Sequence, residues 1–289
     1  MSVLVTVIDL AAIYTLVAIG ISLTWAGLGF LNLAQGVVFA SAAYGAWWTA
    51  EHISSNPLAV VTAGIMAGAI MGMMVCLVVF LPLDGKPNSE IRMLIGTLAL
   101  SFLGVSVLQA AFGPQSKALP VIFGKGKFTV GGAVVTADKS GAIIAAAVLI
   151  TVVLLVLLRS RIGLGVRILT QSPEGAALVG IDRRRLALAI LAVSGAMAGL
   201  ASVLLAQVYY VSPEAGYTPL IKGLIVALLG GLGSIPGAIA AALLVAAVEA
   251  VTATYLGGQY VLITLFLLIA IVLLVRPRGI GGLLEAVRA

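Results

Sequence analysis

Apolar runs of nearly 20 residues recur along the whole chain, and they decide what it can fold into. GAIIAAAVLITVVLLVLL (141–158) and QYVLITLFLLIAIVLLV (259–275) are two of them. A helix needs about 20 apolar residues to cross the hydrocarbon core of a bilayer. In that medium each backbone N–H and C=O must find its partner inside the protein, which favours helices. Of the 289 residues, 62% are apolar and only 9% charged, against roughly 25% charged in a soluble domain. The expected fold class is therefore all-α, a polytopic helical membrane protein in one transmembrane domain, residues 1–289.

The N-terminus, MSVLVTVIDLAAIYTLVAIGISLTWAG, lacks a positive leading region and keeps its apolar run too long for a cleavable signal, so it reads as the first span. Spans are expected at 7–26, 32–50, 58–81, 91–111, 141–158, 186–208, 219–232, 235–254 and 258–275. The alternative is eight spans, or a re-entrant pair within 219–254, whose first piece is short. The arginines set the topology. Residues 159–185 hold Arg159, Arg161, Arg167, Arg183, Arg184 and Arg185, and the tail adds Arg276, Arg278 and Arg288. By the positive-inside rule both segments are cytoplasmic. That makes 159–185 a cytoplasmic loop and places the N-terminus and the loop 112–140 outside, where FTVGGAVV has the pattern of a short hairpin.

Catalytic sets are scarce. His52 is the only histidine and Cys76 the only cysteine. His52 lies beside Trp47 and Trp48 and reads as a belt residue at the membrane edge; Cys76, in an apolar run, reads as a small buried hydrophobe. Metal binding or nucleophilic catalysis would need partners that are missing. Lys86, Lys125 and Lys127 each follow a glycine without completing a phosphate-binding loop, so ATP is not bound by this motif here. The net charge of +6 belongs to membrane topology, and no nucleic-acid partner is expected.

Polar groups inside spans are costly and are candidates for function. Glu249 is one, with Thr252 a turn away. Asn32 and Gln35 are others, spaced three apart, with Gly36 and Phe39 continuing that face. Each either lines a pathway or hydrogen-bonds a neighbouring helix. Asp9 and Lys222 sit near span ends and read as interfacial or snorkelling. The rows Gly64, Gly68, Gly72 and Gly195, Gly199 read as close helix packing.

Two stretches break the helices they interrupt: GLGFLNLAQG (27–36) and GLGSIPG (231–237). Gly27, Gly29, Gly231, Gly233 and Gly237 are the glycines expected to do it. Breaks in corresponding places of two halves suggest inverted-repeat-like organisation around a translocation path. In the arginine-rich loop, TQSPEGAALVGIDRRR gives a helix start at Ser172, Pro173 and Glu174. Ala176, Ala177 and Gly180 make a small, smooth face. That helix either sits in a groove of another protein or is a solvated linker.

NLAQG (32–36), QSPEGAALVGI (171–181), LLGGLGSIPGAIAAALL (228–244) and RPRGIGG (276–282) together resemble the permease subunits of ATP-binding-cassette importers for branched-chain amino acids, the NFAHG-motif member of the permease pair. The resemblance implies no enzymatic activity. It implies a second, homologous permease subunit, two cytosolic ATPase subunits that bind the ATP, and a periplasmic or lipid-anchored substrate-binding protein. It also implies a multi-pass location among the lipids of the bacterial cytoplasmic (inner) membrane. Glu174, Ala176, Ala177 and Gly180 would form the coupling helix that docks on an ATPase, and Asn32, Gln35 and Gly36 would lie near the pathway. Leu33 and Gln35 stand where the family often has Phe and His, which removes a group able to titrate near neutral pH. Relatives carrying urea, amides or aromatic acids share this architecture. A more remote alternative is an ion-coupled secondary transporter with Glu249 as its coupling carboxylate.

Overall fold

The computed structural model describes residues 2–120, 126–130, 133–171 and 180–281. Its helices are α1 (Ser2–Leu28), α2 (Gln35–His52), α3 (Pro57–Leu83), α4 (Ser89–Phe112), α5 (Ala137–Arg159), α6 (Arg161–Gln171), α7 (Arg183–Ala206), α8 (Tyr217–Gly230), α9 (Ile235–Tyr255) and α10 (Val261–Val275). Every helix but α6 falls on one of the nine expected spans. Among the described residues, six helices are long and apolar enough to cross a membrane. The expected hairpin is present: β1 (Lys127–Val130) pairs antiparallel with β2 (Ala133–Thr136).

The helix starts follow from local chemistry. Asn56 accepts the Leu58 N–H at 3.1 Å ahead of Pro57, and Ser234 accepts the Gly237 N–H at 3.2 Å. Asp182 caps α7 through the Arg184 N–H at 2.9 Å. Each satisfies a donor that a helix terminus leaves unpaired. Within α3, residues Cys76–Phe80 widen into a π-type stretch just before Pro82, a residue that has no N–H to donate.

Adjacent helices run antiparallel or parallel as the short connections dictate, so the bundle has two distinct ends. One carries Arg159, the Arg183–Arg185 run and the turn after α10; it is called the arginine end below. The other carries the β-hairpin, where β2 touches α1. At the centre α3 lies against α7. The expected glycine rows face each other there, with Gly68 opposite Gly195 and Gly199, and Gly64 opposite Gly199. Glycine lets the two backbones touch. Outward, α4 and α10 present Ile95, Phe102, Leu103, Ile263, Phe266 and Leu267, the apolar surface that lipid accommodates.

The chain after α10 folds back onto the end of α8. Ile280 N–H donates to the Leu229 carbonyl at 2.7 Å and Gly281 N–H to the Gly230 carbonyl at 3.0 Å, filling acceptors a helix C-terminus leaves open. Gly279 permits this: its φ is +74°, and a Cβ there would lie 2.6 Å from the Gly231 nitrogen. Gly279→Ala is expected to free the tail and lower stability by roughly 1–3 kcal/mol, read as a lower unfolding temperature in detergent.

Candidate functional site

The first interrupted segment runs from Gly29 to Ala34. α1 continues through Gly27, which packs against Ile190, and the break itself is at Gly29, with φ +77°. The chain then turns back beside α1, so that Gln35 lies against Gly20. Eight residues of helix separate Gly20 from Leu28, so α2 begins about 12 Å inside the arginine end. Asn32 therefore stands in the connector and not on the α2 face expected of it. Its Oδ1 accepts the Ala34 N–H at 3.1 Å and its amide donates to Gln35 Oε1 at 3.3 Å. Thr97 Oγ1 accepts the Leu33 N–H at 3.2 Å. Irregular backbone at this depth persists only with such partners.

Gln35 ties the knot to the bundle. Its Nε2 donates to the Ser194 carbonyl at 3.1 Å, while Ser194 Oγ donates to the Gly20 carbonyl at 2.8 Å. Thr24 Oγ1 donates to the same carbonyl at 3.0 Å. Both Asn32 and Gln35 are buried. Asn32→Leu is expected to strand the Ala34 N–H and cost about 1–3 kcal/mol, measured as a drop in unfolding midpoint.

The second interruption is a correction. Residues 231–237 do not break a helix at depth: Gly231 (φ +85°) and Gly233 (φ +90°) form a tight turn at the arginine end, and Gly237 lies in the first turn of α9 against the Gly230 carbonyl. The segment that pairs with 29–34 is instead 207–216. It starts at the hairpin end, where Val211 and Lys117 exchange backbone hydrogen bonds at 2.8 Å, and descends to Gly216. There it meets Gly36. A Cβ on Gly216 would collide with the Gly36 carbonyl, with the Gly36 Cα 2.9 Å away. One interruption thus enters from each end, and the second meets the first turn of α2, just after the first interruption, backbone to backbone.

Beside this contact lies a buried charge pair. Lys222 on α8 reaches Glu249 on α9, Nζ to Oε1 at 2.6 Å. Tyr14 on α1 donates its phenol proton to Glu249 Oε2 at 2.6 Å, and Lys222 Nζ donates to the Tyr14 oxygen at 3.0 Å. The side chains of Lys222 and Glu249 are only 12% and 8% exposed. The expectation that Lys222 snorkels to an interface is thereby overturned, because its partner sits inside the bundle. Asp9 is also buried. Phe39 is buried on α2 and faces a cavity shared with Tyr14 and Lys222.

His52 is exposed and stacks on Trp48 with ring centroids 5.2 Å apart, as a belt residue would. Cys76 is buried, as expected. Among the described residues no group of three His, Cys, Asp or Glu could hold a metal ion. Glu174, Ala176 and Ala177 lie outside the described residues. Gly180 is described; its φ of +76° makes it the turn that releases the chain into Asp182 and α7. Tyr14, Ser194, Thr24 and Gly216 were not singled out by the sequence. Tyr14 did carry a signal, as the single phenol in the first apolar run.

Residues 3–276 match the family described as "Branched-chain amino acid transport system / permease component". The chain is 28% identical to the high-affinity branched-chain amino acid transport system permease protein BraD of Pseudomonas aeruginosa, over 96% of this chain and 94% of that protein. It is likewise 28% identical to the permease protein LivH of Salmonella typhimurium, covering 95% and 93% of the two. Among solved structures, PsaBC from Streptococcus pneumoniae in complex with Fab shares the fold, with a TM-score of 0.53 at 12% identity over 98% of this chain and 94% of that one. Matched over nearly its whole length and built as a bundle of apolar helices, the chain belongs to the branched-chain amino acid transport permease components, membrane transport subunits and not enzymes.

Proposed function

We propose that the chain is one half of the translocation pathway of an ATP-binding-cassette importer for branched-chain or other small amino acids, seated in the bacterial cytoplasmic membrane. The observation that carries this reading is the similarity to BraD and LivH over 93% or more of both chains. The importer pairs this subunit with a second, homologous permease. Two cytosolic ATPases bind the ATP, and a binding protein outside the membrane delivers the substrate. The arginine end faces the cytoplasm, and the loop 159–185 meets the ATPases there. Glu174, Ala176, Ala177 and Gly180 are the docking face. Asn32, Gln35, Gly36, Phe39 and Glu249 border the path.

The geometry supports a transporter in one specific way. Helices that start at mid-depth from opposite ends leave polar groups inside the membrane without opening a continuous hole. The rival reading, Glu249 as an ion-coupling carboxylate, draws no support from the relatives, which are permease components of branched-chain amino acid transport systems.

Two experiments test the proposal. Purified from its native operon in mild detergent, the chain is expected to bring two ATPases and a second permease with it; recovery of this chain alone would sink the assembly. Gly180→Val forces a β-branched residue into a left-handed turn. It is expected to leave the permease pair intact while ATP-driven leucine uptake falls roughly tenfold or more. Uptake at the parent rate would remove Gly180 from the coupling segment.

A further inference from the structure

Two cavities lie in the half of the bundle nearer the β-hairpin, side by side, with Tyr209 in the wall of both. The first, about 260 Å³, is bordered by Tyr14, Phe39, Ser202, Tyr209, Thr218 and Lys222. The second, about 330 Å³, is bordered by Asp9, Tyr209, Glu249 and Thr254. They have opposite character. One offers an ammonium amid hydroxyls and aromatic faces; the other offers carboxylates. The Lys222–Glu249 pair is where they meet, and each cavity touches one member of it. The second volume sits at the lower end of the range for small-molecule sites, about 300–1,000 Å³, and the first, about 260 Å³, falls just below it.

We infer that this paired floor is a transit site for a zwitterion, read by charge exchange: the carboxylate of a small amino acid takes the place of Glu249 on Lys222, and its ammonium takes the place of Lys222 on Glu249. The inference rests on the importer reading above and names what that site discriminates. The argument is one of charge balance. Parting a buried ion pair leaves two uncompensated charges in a poor dielectric, which is strongly unfavourable. A neutral amide or urea offers no full charge to either side. A lone carboxylate would leave Glu249 and the ligand sharing one cation; a lone amine would leave Lys222 and the ligand sharing one anion. Only a solute carrying both charges a few ångströms apart keeps every charge matched. Lys222 has donors for this. Of its three N–H groups, two go to Tyr14 and Glu249, and Ser202 and Thr218 add hydroxyls around the same cavity. Phe39 and Tyr210 line the first cavity too and offer surface to an apolar side chain. The Tyr209 phenol, shared by the two cavities, adds one more hydroxyl donor.

The test uses the assembled permease–ATPase complex in lipid nanodiscs without its binding protein, so that the binding protein's own selectivity is removed. Radiolabelled leucine is titrated at millimolar concentrations and competed with isocaproate, isoamylamine and isobutyramide. Leucine is expected to bind, and each competitor, lacking one charge or both, to displace it roughly tenfold more weakly or worse. Two double variants complete the design, because neither leaves an unmatched charge. K222M/E249Q removes the pair and is expected to abolish leucine binding. K222E/E249K keeps a pair but reverses the polarity each cavity presents, and is expected to assemble while binding leucine roughly tenfold or more weakly. If the reversed pair binds leucine as the parent does, or if the three competitors match leucine, the pair only fastens α8 to α9 and the inference falls. It falls too if the parent complex binds no leucine but transports it with the binding protein present. Should the complete importer fail to move any amino acid, the importer reading itself fails, and this site with it.

Discussion

Gly68→Leu is expected to abolish recovery of the folded permease. A Cβ at this position would meet the Gly195 carbonyl oxygen, and it would stand 2.9 Å from the Gly199 Cα and 3.0 Å from its nitrogen. Those are backbone atoms of α7, which no rotamer change can move aside. Ordinary overpacking costs about 1–3 kcal/mol because side chains and backbone give a little. Here the whole α3–α7 contact must open, and the interruption at 29–34 hangs on it through Gln35 and Ser194. Size-exclusion chromatography of a fluorescent fusion reads the result as loss of the monodisperse peak. Gly258→Ala is the matched control, since nothing lies within 4 Å of a Cβ there and the profile is expected to be unchanged. A Gly68→Leu protein eluting like the parent would show that the two helices are not in backbone contact.

The second large effect is at the charge pair. Lys222→Met alone leaves Glu249 buried without its cation, and removing one partner of such a pair costs about 3–5 kcal/mol. Replacing both, as in K222M/E249Q, leaves no charge behind; the glutamine can still accept from Tyr14. The double variant is therefore expected to be more stable than the single one, an inversion of simple additivity. Unfolding midpoints of the parent, both single variants and the double variant measure it. A double variant less stable than Lys222→Met would mean that the charges were solvated already.

Most of the fold was legible because hydrocarbon imposes one rule on every span. The nine expected spans coincide with helices, and even the FTVGGAVV hairpin could be read from its alternation around two glycines. What misled was position relative to depth. Lys222 follows the start of a short apolar run, so linear distance from Tyr217 suggested a membrane edge. α8 starts below the surface, which carries the lysine inward to Glu249. GLGSIPG looked like a mid-membrane break because glycine and proline mark both turns and interruptions. The true counterpart of 29–34, residues 207–216, reads as QVYYVSPEAG, polar and aromatic enough to pass for an ordinary external loop. The touching of Gly36 and Gly216 joins residues far apart in the chain, and no local pattern encodes it. Asn32 and Gln35 were picked out correctly as buried polar residues, but the connector that holds Asn32 could not be told from the first turn of a helix.

The α8–α9 hairpin also constrains how the protein can be made. Its turn has four residues, 231–234, between Gly230 and Ile235, and its two arms carry the opposite charges of Lys222 and Glu249. A single charged side chain at the middle of an inserting segment costs about 2.5–3.5 kcal/mol at the translocon. α8, only 14 residues long, has little apolar length to offset that on its own. Once Glu249 has been synthesised the two charges can neutralise each other. α8 is therefore expected to enter the bilayer only once α9 has been delivered, the two as one object.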